Sequence, residues 1–395
     1  MKKTVFILLC IVNVTLSYSQ KNDSLTLELT RELNELVKEK LLVGFSVAIY
    51  NDKGALYEKG FGYSDKQEKK DYTKNTIQNI GSVSKTFIGI ALLKAQELGK
   101  LNLDDPINDY LPFQVVNPYY PNDTITIRQI TTHTSSIRDR DLWYGFNNFF
   151  LKEKKKPLEK KKIYFRKPGQ MISMKELFET YLVKGGKSYK AKSFFKYKPG
   201  THYNYSNIAA TLGAYIVEQA TKEDFKTFTQ KYVFDPLQMN NTGWSFKDVD
   251  FDNHSRLYTK SKKRLALYSM VTYPDGGLIT SSSDMAKYAS ELIKGYLGEG
   301  TILTKKSYKE AFTGSLDGVL IQEANGDNCG VFFDITAQNL IGHGGSDPGI
   351  ASLMFYDPKK RVGRYLQTNT DLYKKNLNNF LAVWDKLKKY ETQFE

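Results

Sequence analysis

Apolar and polar positions alternate with two different periods over the first sixty or so residues. Four leucines at helical intervals share one face of a helix predicted over residues 25–40: Leu25, Leu29, Leu33 and Leu36. Residues 44–50 and 55–62 are short apolar runs on either side of the turn sequence Asn51-Asp52-Lys53-Gly54, which predicts a β-hairpin. The pattern therefore predicts a helix followed by a hairpin, and both need a core that covers their apolar faces.

Helical spacing dominates the middle of the chain. A helix is predicted from residue 82 to about residue 98, and Gly99 is expected to end it. Its core-facing side chains are expected to be Phe87, Ile90, Ala91 and Leu93. Further helices are predicted over residues 207–220 and 223–234. Residues 138–200 between these helices show the least regular pattern.

Strand patterns return in the last third of the chain. Residues 277–281 are typical of a strand, and Ser282 or Ser283 is expected to cap the helix that follows. Several short strands are predicted between residues 331 and 367, and a closing helix over residues 373–387. Strands thus occur at both ends of the chain and helices between them.

This order of elements predicts an α/β (α+β) fold. The simplest arrangement is an antiparallel sheet flanked by helices and built from both chain ends. The sheet parts are expected at about 25–80 and 265–390, and a mostly helical subdomain at about 82–264 is inserted between them. We find no internal repeat and no long linker.

The first residues resemble a secretory signal peptide. Lys2 and Lys3 precede an apolar run, 5–14, that is short for a membrane span, and Ser17-Tyr18-Ser19 offers small residues for cleavage. Residues 1–19 are therefore expected to be removed, which leaves one domain over 20–390 and predicts an exported protein, periplasmic or secreted. A membrane anchor is the alternative.

Cysteine is scarce in this sequence of 395 residues, of which 41% are hydrophobic. Removal of the leader would take Cys10 and leave Cys329, so no internal disulfide is expected. Cys329 precedes Gly330-Val331-Phe332-Phe333, which is typical of a strand, and the thiol is therefore expected to be a small buried side chain rather than a reactive one.

Positive charge is concentrated in one segment. The chain has a net charge of +14, and residues 152–167 contain eight lysines and one arginine against two glutamates. A solvated surface loop is the simpler interpretation, and a weak contact with anionic envelope components is the alternative. Nucleic-acid binding is not expected, because the chain has no recognisable nucleic-acid module.

Ser82 and Lys85 form the first candidate for chemistry. They lie three residues apart at the start of the predicted helix, so their side chains share a face. A serine hydroxyl needs a neighbouring base, and Lys85 can act as one if burial lowers its pKa. The backbone N–H of Ser82 is a candidate oxyanion donor. Ser193 and Lys196 repeat the spacing, but without a flanking glycine or a clear helix, and they are expected to be a chance match.

Tyr205 and Asn207 form the second candidate, just before the helix at 207–220. Asn207 could simply cap that helix. Alternatively, Tyr205 acts as a general base and later as an acid, with Asn207 on a substrate carbonyl. Because an unperturbed tyrosine titrates near pH 10, this role requires an adjacent cation, and Lys85 is the candidate.

His343-Gly344-Gly345-Ser346 is the third candidate. It could be only a glycine-rich turn. In the functional interpretation, the glycines let a ligand approach the backbone closely, and the N–H of Ser346 supplies a second oxyanion donor.

The three segments together resemble the Ser-x-x-Lys, Tyr-x-Asn and Lys/His-x-Gly elements of the penicillin-recognising serine hydrolases. The most similar subgroup is that of class C β-lactamases, DD-peptidases and esterases. Thr132-His133-Thr134-Ser135 and Asp235-Pro236-Leu237-Gln238-Met239 resemble stretches between those elements, and the resemblance covers roughly residues 40–370. It implies a sheet with flanking helices, a helical subdomain, and a site in the cleft between them.

The resemblance also implies roles. Ser82 would be the nucleophile, Lys85 and Tyr205 the acid–base pair, Asn207 a substrate contact, and His343 the head of the third element, with Gly345 and Ser346 beside the substrate. These roles describe a hydrolase that forms an acyl-enzyme on Ser82 and cleaves an ester or amide bond in a peptide or D-amino-acid, ester or β-lactam substrate. The alternatives are a dedicated β-lactamase, or a penicillin-binding or sensing protein that is acylated without turnover.

Two departures from the family pattern bear on substrate. His343 replaces the usual lysine, which removes a permanent cation for a substrate carboxylate and makes a general peptidase or esterase a better expectation than a β-lactamase. The usual Thr-Ser-Gly is Thr134-Ser135-Ser136. The region 138–195 is expected to be an insertion that covers the cleft.

No metal and no cofactor are predicted. The remaining histidines, His133, His202 and His254, show no metal-ligand spacing. The expected partner is a small-molecule or peptide substrate, and the protein is expected to be a monomer.

Overall fold

The computed structural model describes residues 22–152, 164–321 and 327–394. The predicted leader and most of the basic segment lie outside these ranges. Within them the chain forms eleven α-helices: α1 (22–38), α2 (Lys85–Glu97), α3 (Ile127–Thr131), α4 (Asp141–Asn147), α5 (Met174–Tyr181), α6 (Asn207–Thr221), α7 (Phe225–Thr229), α8 (Tyr273–Gly276), α9 (Ser282–Leu297), α10 (Lys305–Ala311) and α11 (Lys375–Tyr390).

Fourteen strands accompany these helices in the described ranges. They are β1 (Gly44–Asn51), β2 (Gly54–Asp65), β3 (Lys70–Asp71), β4 (Gln78–Asn79), β5 (Phe149–Leu151), β6 (Leu257–Tyr258), β7 (Arg264–Leu265), β8 (Tyr268–Met270), β9 (Ile279–Thr280), β10 (Asn328–Cys329), β11 (Asp334–Ile335), β12 (Ile341–Asp347), β13 (Ile350–Asp357) and β14 (Val362–Thr368).

Eight strands form one antiparallel sheet in the order β10-β11-β12-β13-β14-β1-β2-β3. The N-terminal hairpin joins the C-terminal strands where β1 pairs with β14, with Phe45 opposite Thr368. The predicted fold class, an antiparallel sheet flanked by helices and built from both chain ends, is therefore confirmed.

The sheet separates two layers of helices. Along β1 successive side chains point to opposite faces: Val47 and Ile49 pack with α1 and α11, whereas Ala48 and Tyr50 pack with the helical subdomain. The leucines predicted on one face of α1 are the ones that contact this layer. Burial on both faces explains why β1 is almost entirely apolar.

Helix α2 lies in the larger core. The four side chains predicted to face a core are buried, but Ile88 and Leu92 are equally buried, because α6, α8 and α10 surround the helix. Gly99 follows the helix with φ +66°, the left-handed conformation expected of a glycine that ends a helix. The segment that contains Ser82 is therefore fixed to the start of a largely buried helix.

Two local predictions are wrong at element boundaries. Ser281, rather than Ser282 or Ser283, caps α9, because its Oγ accepts a hydrogen bond from the Asp284 N–H at 3.2 Å. The strand expected over 330–333 lies instead at Asn328–Cys329, and the chain then bends, with φ +57° at Phe332. The prediction of a buried Cys329 is confirmed.

The region 138–195 has more structure than its sequence indicates. Its described part contains α4, β5 and α5, and β5 pairs with β8. This pairing ties the region to the segment that leads into α8. No helix in the described ranges is both long and apolar enough to cross a membrane.

Candidate active site

The three candidate segments meet at one cavity of about 950 Å³. Ser82 lies in a short 3₁₀ turn, Gly81–Ser84, directly before α2. Tyr205 and Asn207 lie at the start of α6, and Ser346 lies on β12. All four side chains line the cavity, so residues from the two halves of the chain face the same space.

Lys85 is completely buried beside the nucleophile. Its Nζ donates hydrogen bonds to Ser82 Oγ at 2.9 Å, to Asn207 Oδ1 at 2.7 Å and to the backbone oxygen of Asp275 at 2.7 Å. Burial lowers the pKa of Lys85, although neighbouring carboxylates act in the opposite direction. A lysine with a lowered pKa in contact with Ser82 Oγ can accept the hydroxyl proton.

Tyr205 faces the cleft from the other side of Ser82. Its ring centroid lies 5.0 Å from Lys85 Nζ, and 38% of the residue is exposed. Although part of the residue is exposed, its hydroxyl is largely desolvated. This burial raises the pKa of Tyr205 well above its ordinary value, and an interaction with the Ser82 side chain opposes it only in part. Tyr205 is therefore a neutral phenol at neutral pH, able to donate a proton.

Two glycines allow the nucleophile turn to approach β12. A Cβ added at Gly345 would lie 2.2 Å from the Ile80 backbone oxygen and 2.9 Å from the Ser82 nitrogen. One added at Gly81, where φ is +56°, would lie 2.7 Å from the Ser346 nitrogen. Gly345 was expected to make room for a ligand, but it makes room for backbone. The amides proposed as oxyanion donors thus lie on either side of this contact.

Asn207 does not cap α6. The cap is Ser206, whose Oγ accepts a hydrogen bond from the Ala209 N–H at 3.1 Å. Asn207 is the first helical residue, and its Oδ1 accepts from Lys85 while its Nδ2 donates to Asp139 Oδ2 at 3.0 Å. The capping interpretation is therefore wrong for Asn207, and its amide connects Lys85 to a carboxylate.

Asp139 was not predicted as a site residue. Its Oδ1 accepts hydrogen bonds from Ser206 Oγ at 2.8 Å and from the Ile208 N–H at 3.0 Å. Its Oδ2 accepts from the Asn207 backbone N–H at 2.7 Å, in addition to the Asn207 side chain. Burial raises the pKa of Asp139, while these bonds act to lower it. The only sequence signal is an aspartate shortly after Thr134-Ser135-Ser136.

His133 is a second residue that was not assigned to the site. Its ring lies 4.4 Å from the Tyr205 ring, centroid to centroid, and its Nδ1 accepts a hydrogen bond from the Ser206 N–H at 3.2 Å. Because that N–H can only donate, the neutral ring carries its proton on Nε2. Burial and the Lys85 charge hold the pKa of His133 well below its ordinary value. His133 is thus a neutral ring packed against Tyr205.

His343 lies beside Tyr205 rather than in the cleft. Only 4% of it is exposed, and its ring centroid lies 6.2 Å from that of Tyr205. Its Nδ1 lies 2.6 Å from the Gly344 oxygen, which can only accept, so the proton of the neutral ring is on Nδ1. Of the seven predicted site residues, Ser82, Tyr205, Asn207 and Ser346 line the cavity. Lys85 and Gly345 contact Ser82 without lining the cavity, and His343 packs beside Tyr205.

The charges around the cavity are mostly negative. Five aspartates line it: Asp139, Asp141, Asp275, Asp347 and Asp371. Burial raises the pKa of Asp275 to about 6, although Lys85 acts to lower it. Two lysines, Lys260 and Lys263, lie between β6 and β7 and also line the cavity. Across the described residues, no group of three or more histidine, cysteine or acidic side chains has an arrangement that could hold a metal ion.

The region 138–195 forms one wall of the cleft. Asp141, Tyr144 and Gly145 of α4 line the cavity, together with Phe149 of β5. Ser193, the chance match, is completely buried and does not line this cavity.

Known proteins resemble this chain in sequence and in fold. The sequence matches the Beta-lactamase family over residues 29–387. It is 26% identical over 312 residues to the human serine beta-lactamase-like protein LACTB, mitochondrial, covering 68% of this chain and 57% of that protein. The chain thus spans less than two thirds of this relative's length.

Two solved structures share the fold. The octameric penicillin-binding protein homologue from Pyrococcus abyssi superposes with a TM-score of 0.73 at 22% identity, covering 93% of this chain and 78% of that one. The D-alanine carboxypeptidase AmpC from Burkholderia cenocepacia superposes with a TM-score of 0.66 at 20% identity, covering 92% and 99%. The chain belongs to the Beta-lactamase family, the penicillin-recognising serine hydrolase family that its motifs indicate.

Proposed function

We propose that the protein is a serine hydrolase that cleaves an ester or amide bond through an acyl-enzyme on Ser82. The observation that carries the proposal is the hydrogen bond of 2.9 Å between Ser82 Oγ and Nζ of the completely buried Lys85. Burial lowers the pKa of this lysine, so a base able to take the serine proton lies in contact with the nucleophile.

The geometry supports a sequence of proton transfers. Ser82 Oγ attacks the substrate carbonyl carbon, and its proton passes to neutral Lys85. The N–H groups of Ser82 and Ser346 stabilise the oxyanion. Tyr205, a neutral phenol, donates its proton to the leaving oxygen or nitrogen and regains one from Lys85. Water then attacks the acyl carbon, and the same groups act in reverse to release the acid.

The charge of the cleft bears on the substrate class. Five aspartates and two lysines, Lys260 and Lys263, line the cavity. His343, in place of a lysine, is 4% exposed and lies behind Tyr205. In the part of the chain that the structure describes, β12 itself has no lysine or arginine, so a substrate carboxylate bound along this strand would meet no fixed cation of the strand. These features support a peptidase or esterase acting on neutral or amine-bearing substrates over a dedicated β-lactamase.

The decisive test is the nucleophile. Ser82→Ala should abolish turnover of a nitrophenyl ester, and intact-mass spectrometry should show no fluorophosphonate adduct. Ser193→Ala is the matched control, because it removes the serine of the other Ser-x-x-Lys match, and it should keep both activities. Full turnover by the Ser82→Ala variant would refute the proposal.

A second candidate function is acylation without turnover, as in a penicillin-binding or sensing protein. It uses the same nucleophile and differs only in the second half of the reaction. A rapid burst equal to the enzyme concentration, followed by no steady release of nitrophenol, would favour it. Steady turnover favours the hydrolase.

Location and assembly complete the proposal. We infer an exported protein, periplasmic or secreted, that acts as a monomer on a small-molecule or peptide substrate, with weak contact between the basic segment 152–167 and anionic envelope components. Cell fractionation, light scattering and binding to anionic vesicles test these three points separately.

A further inference from the structure

Asp139 lies at the end of a hydrogen-bonded chain that leads to the nucleophile. Its Oδ2 accepts from Asn207 Nδ2 at 3.0 Å, Asn207 Oδ1 accepts from Lys85 Nζ at 2.7 Å, and Lys85 Nζ donates to Ser82 Oγ at 2.9 Å. Each of these links joins a donor to an acceptor. The carboxylate therefore stands three hydrogen bonds from the reacting oxygen.

The Asn207 amide has two orientations of nearly equal shape, and only one of them suits Lys85. With Oδ1 toward Lys85, the amide oxygen accepts a hydrogen bond from the Lys85 side chain. If the amide turned over, Nδ2 would face Lys85, and two donors would oppose each other. Asp139 holds the amide in the first orientation, because a carboxylate at this place can accept from Nδ2 but cannot donate to an oxygen.

The backbone reinforces this orientation. Asp139 also accepts from the Asn207 and Ile208 N–H groups and from Ser206 Oγ, so the first turn of α6 is fixed to the same carboxylate. A carboxylate at a helix N-terminus is stabilised by the free N–H groups and by the helix dipole. The start of α6 and the amide of its first residue are thus oriented as one unit.

We propose that Asp139 is a positioning residue for the reaction at Ser82, which acts by fixing the Asn207 amide so that Lys85 is held against the serine hydroxyl. The inference rests on the proposed function and adds a residue to it. Asp139 itself touches neither the nucleophile nor the lysine in the hydrogen bonds described above.

Asp139 also contributes to the electrostatic environment of Lys85, together with other groups. The ionisable groups around the lysine come from several elements: Asp139, Asp275 of α8, Asp334 of β11, Asp347 of β12, Tyr205 and His133. The four carboxylates raise the pKa of Lys85 against the effect of burial. Loss of the Asp139 charge would lower the pKa of Lys85 further, and so would loss of the contact with the Asn207 oxygen. A substitution at Asp139 therefore lowers this pKa by both routes.

The experiment measures the pH profile of kcat/KM for a nitrophenyl ester in the Asp139→Asn variant. Rates are divided by the concentration of active sites, which is determined by titration with a fluorophosphonate. The introduced amide has one acceptor oxygen for the four groups that donate to Asp139. The Asn207 side chain therefore loses the acceptor that holds its orientation. We expect kcat per titrated site to fall about a hundredfold, the cost of misplacing a catalytic group by roughly 1 Å. We expect KM to change little and the acidic limb of the profile, where Lys85 gains its proton, to move to lower pH.

Asp224→Asn is the matched control. Asp224 is an exposed cap at the start of α7, where its carboxylate accepts from the Lys226 and Thr227 N–H groups. The substitution makes the same chemical change at a helix N-terminus away from the cleft, and it should leave the profile unchanged. If the role of Asp139 were purely structural, both variants would have a lower melting temperature and an unchanged acidic limb in the pH profile of the titrated enzyme. That result would overturn the inference.

A double-mutant cycle tests the route through Asn207. In the Asn207→Ala variant, adding Asp139→Asn should lower kcat by less than a few-fold. The amide through which Asp139 acts is already absent there. Equal losses in both backgrounds would overturn the inference. If Asp139→Asn does not fold, Asp139→Ser removes the charge without opposing a new NH₂ group to the helix amides, and it is judged by the same criteria. Failure of the proposed function is separate, since it would appear as turnover by Ser82→Ala.

Discussion

A single methyl group at Gly345 should disturb the contact between the Ser82 turn and β12 directly. In Gly345→Ala the new Cβ would lie 2.2 Å from the Ile80 backbone oxygen, 2.8 Å from Ser352 Oγ and 2.9 Å from the Ser82 nitrogen. Two of these three atoms belong to backbone that cannot rotate away. Ser352 Oγ donates a hydrogen bond to the same Ile80 oxygen, so the methyl group would also disturb that contact.

The size of the effect follows from these distances. An ordinary carbon–oxygen contact requires more than 3 Å, so the nucleophile turn or β12 must shift by about 1 Å. Displacing a catalytic group by that amount costs on the order of a hundredfold in rate, and the strain of overpacking costs about 1–3 kcal/mol in the free energy of unfolding. We therefore expect kcat/KM to fall about a hundredfold while the protein still folds.

The neighbouring glycine provides the control. A Cβ at Gly344 would approach only Leu353 Cδ2, at 3.3 Å, which is the end of a flexible side chain. Gly344→Ala should keep ester turnover within about twofold. Hydrolysis of a nitrophenyl ester, normalised by fluorophosphonate titration, measures both variants. Near-normal turnover in Gly345→Ala, or an equal loss in Gly344→Ala, would refute the steric reasoning.

Three further outcomes follow from the structure. Ser136 has φ +64°, and its Oγ accepts a hydrogen bond from Asn117 Nδ2 at 2.9 Å. Urea denaturation should find Ser136→Gly about 1 kcal/mol more stable than Ser136→Ala. Both variants lose the hydrogen bond, and only glycine relieves the strain of the positive φ. Burial raises the pKa of Asp275 to about 6, above its value near 4 in an unfolded chain, so the stability it contributes is complete below pH 4 and lost as pH rises through 6. Relative to the wild type, Asp275→Asn should therefore gain about 2–3 kcal/mol in the free energy of unfolding between pH 4 and pH 8, and a flat difference would contradict this. Burial raises the pKa of the Cys329 thiol, so a thiol reagent should label it only after unfolding, and rapid labelling of the folded protein would show the burial to be wrong.

The spacing of apolar residues predicted the fold, because the buried face of each helix or strand depends on only a few neighbouring residues. Helix α1 shows its leucines every three or four positions, and β1 and β2 flank a polar turn. The boundaries were less accurate where several neighbours could serve equally. Three consecutive serines, Ser281 to Ser283, could each cap α9, and only the backbone geometry selects the first.

The contact between Ser82 and Lys85 was predictable because their spacing is local. Ser82 and Lys85 share a helix face whatever the rest of the chain does. Asp139 was not predictable in the same way, because its partners in α6 lie 67 to 69 positions away and no spacing rule connects them. Gly345 was singled out correctly but for a different reason, since only the structure shows that backbone rather than ligand occupies the space.

The pairing of β1 with β14 also has a consequence for the order of folding. Phe45 and Thr368 are neighbours in the sheet although almost the whole domain separates them in the chain, and such distant pairings form late and slowly. The Ser82 turn and β12, which pack directly against each other, also come from distant parts of the chain. A partly folded chain that has formed α2 but not yet paired these strands would hold Ser82 and Lys85 without the Ser346 N–H beside them. The mechanism proposed above would therefore require the last strands to have joined the first.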